Sequence, residues 1–184
     1  MRMEAIETAL GLFNRLEPDE ISLDTISAAC GLSRIDFDVI FESRSEFFLE
    51  VFRVLEDRKL DEISRAPPIY GTLPTKLKYL LRHFYKHDIE HLNIAKTLQS
   101  VSWSWTVASE RRRSQQQLRI HEFIVALFDE AAAQGQIDSG NYRAASSLIL
   151  SAYEVGLRKA VFEVRDPERI ISFLEPQLTL ILRG

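Results

Sequence analysis

The sequence is poor in everything that would build a covalent, extracellular or membrane scaffold. Its single cysteine, Cys30, excludes an intrachain disulfide and fits a reducing compartment. Seven glycines and six prolines in 184 residues are too few for a collagen-like or low-complexity chain. Alternation with period two, the mark of half-buried strands, is nearly absent. No apolar run approaches the roughly 18 residues that would suggest a membrane span. The N-terminus has no apolar stretch ahead of a small-residue cleavage site, so a cytoplasmic protein without a membrane partner is expected. There is no Gly-rich phosphate loop, no nucleophile elbow and no zinc-type Cys/His cluster. The expectation is a non-enzyme without cofactor or bound metal.

Basic residues are scarce where they would matter most for nucleic acid. Residues 1–50 hold four, Arg2, Arg15, Arg34 and Arg44, against eleven acidic side chains, while residues 51–184 hold 19 basic and 16 acidic. A DNA-binding segment usually shows the opposite bias.

What the chain does have is helical periodicity throughout, and an all-α fold of about nine helices is expected. Ala5, Ile6, Ala9, Leu10 and Phe13 form one apolar stripe. Ser22 is placed to cap a short helix carrying Leu23, Ile26 and Ala29, which stops at Cys30-Gly31, where glycine can turn left-handed. Ser33 caps a third helix, with Asp36 at its N3 position and Phe37, Ile40 and Phe41 inward. Ser43 and Glu46 make a capping box ahead of Phe47, Phe48, Val51, Phe52 and Leu55. Short helices with these breaks, followed by a capped longer one, spell a helix-turn-helix with a connector helix. The expected division is a helix-turn-helix domain over 1–44, a connector over 45–64 and a larger helical domain over 65–184, with 65–74 as linker. Further helices are expected over about 74–107, 110–134 (stopping at Gly135), 141–164, and from the Asp166-Pro167 cap onward.

The stretch Ala5–Phe13, the segment from Ile21 through Ser33, then Phe37, Phe41 and Ser43-Arg44-Ser45-Glu46-Phe47-Phe48 resembles the TetR family of transcriptional regulators. The resemblance covers about 45 residues; beyond them the likeness is architectural only. It implies a homodimer closed by the last two helices of each subunit, a ligand cavity among the middle helices, and two helix-turn-helix heads one DNA turn apart, released from the operator by ligand. The third helix departs from the family pattern. Ile35 and Asp36 stand where Gly and Thr are usual, Asp38, Val39 and Ile40 where Tyr, His and Tyr are usual, Glu42 for a frequent Pro, and Arg44 for the connector Lys.

The resemblance puts DNA contacts at Ser22, Ser33, Arg34, Asp36, Asp38, Val39 and Arg44. Ser22, Ser33, Arg34 and Arg44 would hold phosphates. Carboxylates facing phosphates repel them and forfeit counterion release. Asp36 is accounted for as the partner of the Ser33 cap, whereas Asp38 is not. The alternative is therefore a ligand- or partner-binding dimer with weakened or lost DNA binding. Phe84, Leu98, Val101, Trp103, Trp105, Phe123, Leu127 and Tyr153 are the candidate walls of a pocket for a mostly apolar small molecule. Leu148, Ala152, Gly156, Leu174, Leu178 and Ile181 are the candidate dimer surface, small residues allowing close helix approach. His83, His87 and His91 would share one face of an unbroken helix, where a solvated or capping set is expected rather than a metal site. Arg111-Arg112-Arg113 reads as a solvated helical face.

Overall fold

The computed structural model describes residues 1–16, 20–66, 69–102, 106–138 and 140–183. Among them are nine α-helices and no strand: α1 Arg2–Phe13, α2 Leu23–Ala29, α3 Arg34–Ile40, α4 Arg44–Arg65, α5 Leu73–Glu90, α6 Leu92–Ser102, α7 Val107–Ala133, α8 Arg143–Phe162 and α9 Pro167–Arg183. They form two compact units. The first comprises residues 1–58 and 90–115, the second 59–89 and 116–184. The division falls inside α4 and α7, so each of these helices contributes to both.

The first unit is organised around phenylalanine. Phe13, Phe37, Phe41, Phe47 and Phe48 are buried, with ring centroids 4.9–5.8 Å apart in tilted and edge-on pairs, the arrangements that aromatic quadrupoles favour. Ala5, Ile6, Ala9 and Leu10 of α1 and Ile26 of α2 close this cluster, and α6 adds Ile94. Polar contacts anchor the start of α6 to the end of α1. The Asn93 amide donates to the Leu16 carbonyl at 2.8 Å, and His91 Nδ1 lies 3.0 Å from Asn14 Oδ1.

Local signals set the helix ends. The Ser22 and Ser33 side chains accept from the N–H groups of Thr25 and Asp36 at 3.0 and 3.1 Å. Gly31 adopts φ +67°, with its N–H on the Ala28 carbonyl and that of Leu32 on the Ser27 carbonyl. This pair of bonds satisfies the last carbonyls of α2 and turns the chain toward α3. Gly135 ends α7 in the same way.

In the second unit α8 packs on α9, and Leu77, Leu80, Leu81 and Phe84 of α5 are buried with Ile120 and Ile124 of α7. Asp166 caps α9 through the Glu168 N–H at 2.9 Å. Gly156 is needed for close approach: a methyl there would collide with the Tyr85 hydroxyl and lie 2.9 Å from Ile170 Cγ2. Gly156→Ala is accordingly expected to lower the urea midpoint, at a cost of about 1–3 kcal/mol; an unchanged midpoint would contradict this packing.

Candidate nucleic-acid interface

The α2–turn–α3 pair places the outward side of α3 in solvent while Phe37, at 1% exposure, anchors its inner side. The outward side carries Arg34, Ile35, Asp38 and Val39. Its two apolar members are 77% and 81% exposed. Arg34 is closed on the chain's own carboxylates. Its Nε donates to both oxygens of Asp38 at 3.0 and 3.2 Å, and its Nη1 to Asp24 of α2 at 3.2 Å. Asp36 bonds the Ser33 hydroxyl at 2.6 Å as well as presenting its N–H to it, which is the capping role expected of it. Asp38, unexplained in the sequence, is the partner of Arg34.

The corner between α3 and α4 is built differently from a simple capping box. The Glu46 N–H does donate to Ser43 Oγ at 3.0 Å, but the Glu46 carboxylate accepts from the N–H of Glu42, at 2.6 Å, one residue before the cap. Arg2 explains the shift. Its guanidinium donates to Glu46 at 2.6 Å and to the Ile40 carbonyl at 3.0 Å, and lies over the Phe41 ring at 4.9 Å. Burial would raise the Glu46 pKa, but the Arg2 hydrogen bond, the Glu42 N–H and nearby Arg112 together hold it below the usual carboxylate range. Arg2 thus closes the end of α3 against the start of α4. No short-range rule couples residue 2 to residue 46.

In the arginine run on α7, Arg111 and Arg112 are exposed, as a solvated face would have them, and Arg113 departs from that expectation. Arg113 is largely buried, pairs with Glu56 at 2.8 Å and covers the Phe52 ring at 4.1 Å. Arg112 lies 3.9 and 3.8 Å from Glu42 and Glu46. Only Arg111 is a plain solvent-facing position. The excess of acid in residues 1–58 gives these cations partners. Even so, the first unit retains fifteen acidic against ten basic residues. Ser22, Ser33 and Arg44 are exposed, with the Arg44 guanidinium 5.3 Å from the Phe48 ring.

The described candidate pocket residues belong to both units. Phe84 and Tyr153 meet in the second unit, ring centroids 5.8 Å apart, and Phe123 and Leu127 are half-buried on α7. Leu98 packs on the phenylalanine cluster of the first unit. Trp103 and Trp105 lie outside the described residues, as does the Val101 side chain. Beside Phe84 and Tyr153 is a feature with no sequence signal. The Lys59 ammonium is buried, 3.0 Å from Asp88 Oδ1 and 3.0 Å from the Tyr153 hydroxyl, which in turn donates to Asp88 Oδ2. It faces the Phe84 and Tyr153 rings at 4.9 and 5.3 Å. Desolvation would raise the Asp88 pKa, but Lys59, His87 and Tyr153 outweigh it and hold the carboxyl below its ordinary value.

Of the candidate dimer residues, Ala152, Gly156, Leu174 and Leu178 are buried by the chain itself, Ile181 is half-buried and Leu148 is 55% exposed. The large apolar side chains that these helices leave exposed are the candidate Leu148 together with Val155 and Phe162 on α8, and Phe173 and Leu180 on α9. The three histidines do not share a helix, because α5 ends at Glu90 and His91 falls in the break before α6. His83 Nε2 lies 3.6 Å from Glu62, and His87 Nδ1 3.8 Å from Asp88. Among the described residues no group of three or more His, Cys, Asp or Glu is placed to hold a metal ion, and no helix is long and apolar enough to cross a membrane.

No protein-family model matches the sequence, and no curated protein matches it. Solved structures do resemble it along its whole length. The transcriptional regulator FadR from Bacillus subtilis, crystallised with stearoyl-CoA, superposes with a TM-score of 0.72 at 13% identity, covering 100% of this chain and 99% of that one. A TetR-family regulator from Agrobacterium tumefaciens gives 0.70 at 16% identity, covering 98% and 97%. The TetR-family regulator PfmR from Thermus thermophilus gives 0.62 at 20% identity, again covering 98% and 97%. The chain has the all-α fold of the TetR-like transcriptional regulators.

Proposed function

We propose that this chain is a homodimeric, ligand-responsive transcriptional regulator, most simply a repressor, that reads operator DNA through α2 and α3. The supporting observation is the capped helix pair, braced on the phenylalanine cluster, which leaves the outward side of α3 to solvent. Ser22, Ser33, Arg34 and Arg44 serve phosphates on this reading, and Asp36, Asp38 and Val39 lie on the same DNA-facing side. The dimer surface is the row Leu148, Val155 and Phe162 together with Phe173 and Leu180, apolar side chains spaced by seven within each helix and left exposed by the chain. Rows of this kind are the surfaces that helix pairs bury against one another. The ligand is a mostly apolar small molecule held in the second unit near Phe84 and Tyr153, with Phe123 and Leu127 as further walls. Stearoyl-CoA in the Bacillus subtilis structure is an example of a ligand with a long apolar part.

The test is a mobility shift of the full chain with bulk duplex DNA in about 50 mM salt, with light scattering on the same sample. A retarded complex and a dimeric mass are expected. A monomer at micromolar concentration would remove the dimer. A dimer without any shift would select a second reading, a ligand- or partner-binding dimer with weakened or lost DNA binding. That reading has its own support in the Arg34 ion pairs and the eleven acids of residues 1–50.

A further inference from the structure

The geometry points to thymine C5-methyl groups as the feature that α3 discriminates, with Ile35 and Val39 as the specificity-determining residues. This inference rests on the proposed binding of duplex DNA by the helix pair.

Ile35 and Val39 stand four residues apart, on one side of a seven-residue helix whose opposite side is anchored by Phe37. Both are β-branched, so their methyl groups are held stiffly relative to the backbone. At 77% and 81% exposure they contribute nothing to the core. The charged groups beside them are already committed. Arg34 directs Nε to Asp38 and Nη1 to Asp24, and Asp36 is bonded to Ser33. Arg34 spends its Nε donor and one Nη1 donor on these carboxylates, so a contact from it to guanine O6 and N7, or from Asp38 to a cytosine amino group, competes with the ion pair. Beside this ion pair the helix presents outward a pair of apolar knobs, Ile35 and Val39.

In the major groove each base pair displays hydrogen-bonding edges, and thymine alone adds a methyl group. It is the one base feature that an apolar side chain complements without leaving a polar edge unpaired. Four residues of helix rise about 6 Å, and successive bases of one strand are about 3.4 Å apart. The two methyls therefore belong to thymines roughly two steps apart.

The experiment selects binding sites from a random duplex library with the full-length chain. The best site is then resynthesised with uracil in place of single thymines, which deletes only the methyl group. The expected result is selected sites with two fixed thymines in each half-site. Uracil at either position should weaken binding about fourfold, the worth of one buried methyl-sized group. Val39→Ala should abolish sensitivity at one thymine and Ile35→Ala at the other; both side chains are exposed, so melting temperatures should not move. Equal affinity for thymine and uracil sites would overturn the inference and leave DNA binding intact. Failure to select any duplex at about 50 mM salt would overturn both.

Discussion

Asp24→Asn combined with Asp38→Asn is expected to tighten binding to duplex DNA by about ten- to thirtyfold at low salt. The two carboxylates hold the Arg34 guanidinium at 3.2 and 3.0 Å. They also place two negative charges on the side of the head assigned to phosphates. Removing each like-charge contact is worth about 1 kcal/mol even in water, and releasing Arg34 adds one cation for counterion exchange. The slope of log affinity against log salt should steepen by about 0.9 for that additional phosphate. The folded state should lose little, because both ion pairs are exposed to solvent and screened by it. Adding Arg34→Ala to the double variant should cancel the steeper slope. If affinity and slope stay at the wild-type values, Arg34 does not face DNA.

The second large effect lies in the second unit. Asp88→Leu leaves the Lys59 ammonium, 2% exposed in the native state, without its counter-charge, and should destabilise the chain by about 3–5 kcal/mol. Lys59→Met with Asp88→Leu replaces the pair by apolar groups and should recover most of that loss. Urea melts of the three proteins decide the matter. A double variant no better than Asp88→Leu would mean that the pair is not the cause. The pH dependence has a definite sign. The Asp88 carboxyl is held below its ordinary value. Its stabilisation is therefore complete above the ordinary carboxylate range and is lost as pH falls through the depressed native value. In Lys59→Met with Asp88→Leu that part of the acid-side loss should disappear.

Which parts of this protein were legible follows from how far each interaction reaches along the chain. The caps at Ser22 and Ser33, the left-handed turns at Gly31 and Gly135, and the Asp166-Pro167 start of α9 each involve atoms within about five residues. Their residue types report the geometry directly. The stripe on α1 and the phenylalanines of α3 and α4 are equally plain, since helical periodicity alone turns them to one side. Asp36 was readable for the same reason. Asp38 was not, because its explanation is a side chain that could equally have faced solvent.

The long-range contacts left no such trace. Arg2 reaching Glu46, Arg113 reaching Glu56, and Lys59 reaching Asp88 and Tyr153 join residues 29 to 94 positions apart. A lysine in the run Glu56-Asp57-Arg58-Lys59 looks solvated until three helices are seen to enclose it. The small residues of α8 were ambiguous for a related reason. Ala152 and Gly156 announce close approach, but not to what. Here the chain's own Tyr85 and Ile170 take the space at Gly156, so the exposed row passes to Leu148, Val155 and Phe162.

Periodicity and capping, acting over a turn or two of backbone, were thus enough to dictate an all-helical chain headed by a turn-linked helix pair. Folding alone assigned partners to the charges and chose which side of each helix meets water, because those outcomes depend on surfaces contributed by residues far away in the chain. The acidity of residues 1–50 shows both influences. It is written in the composition, yet which cations it captures, Arg2 and Arg34 within the head and Arg112 from α7, was settled by packing.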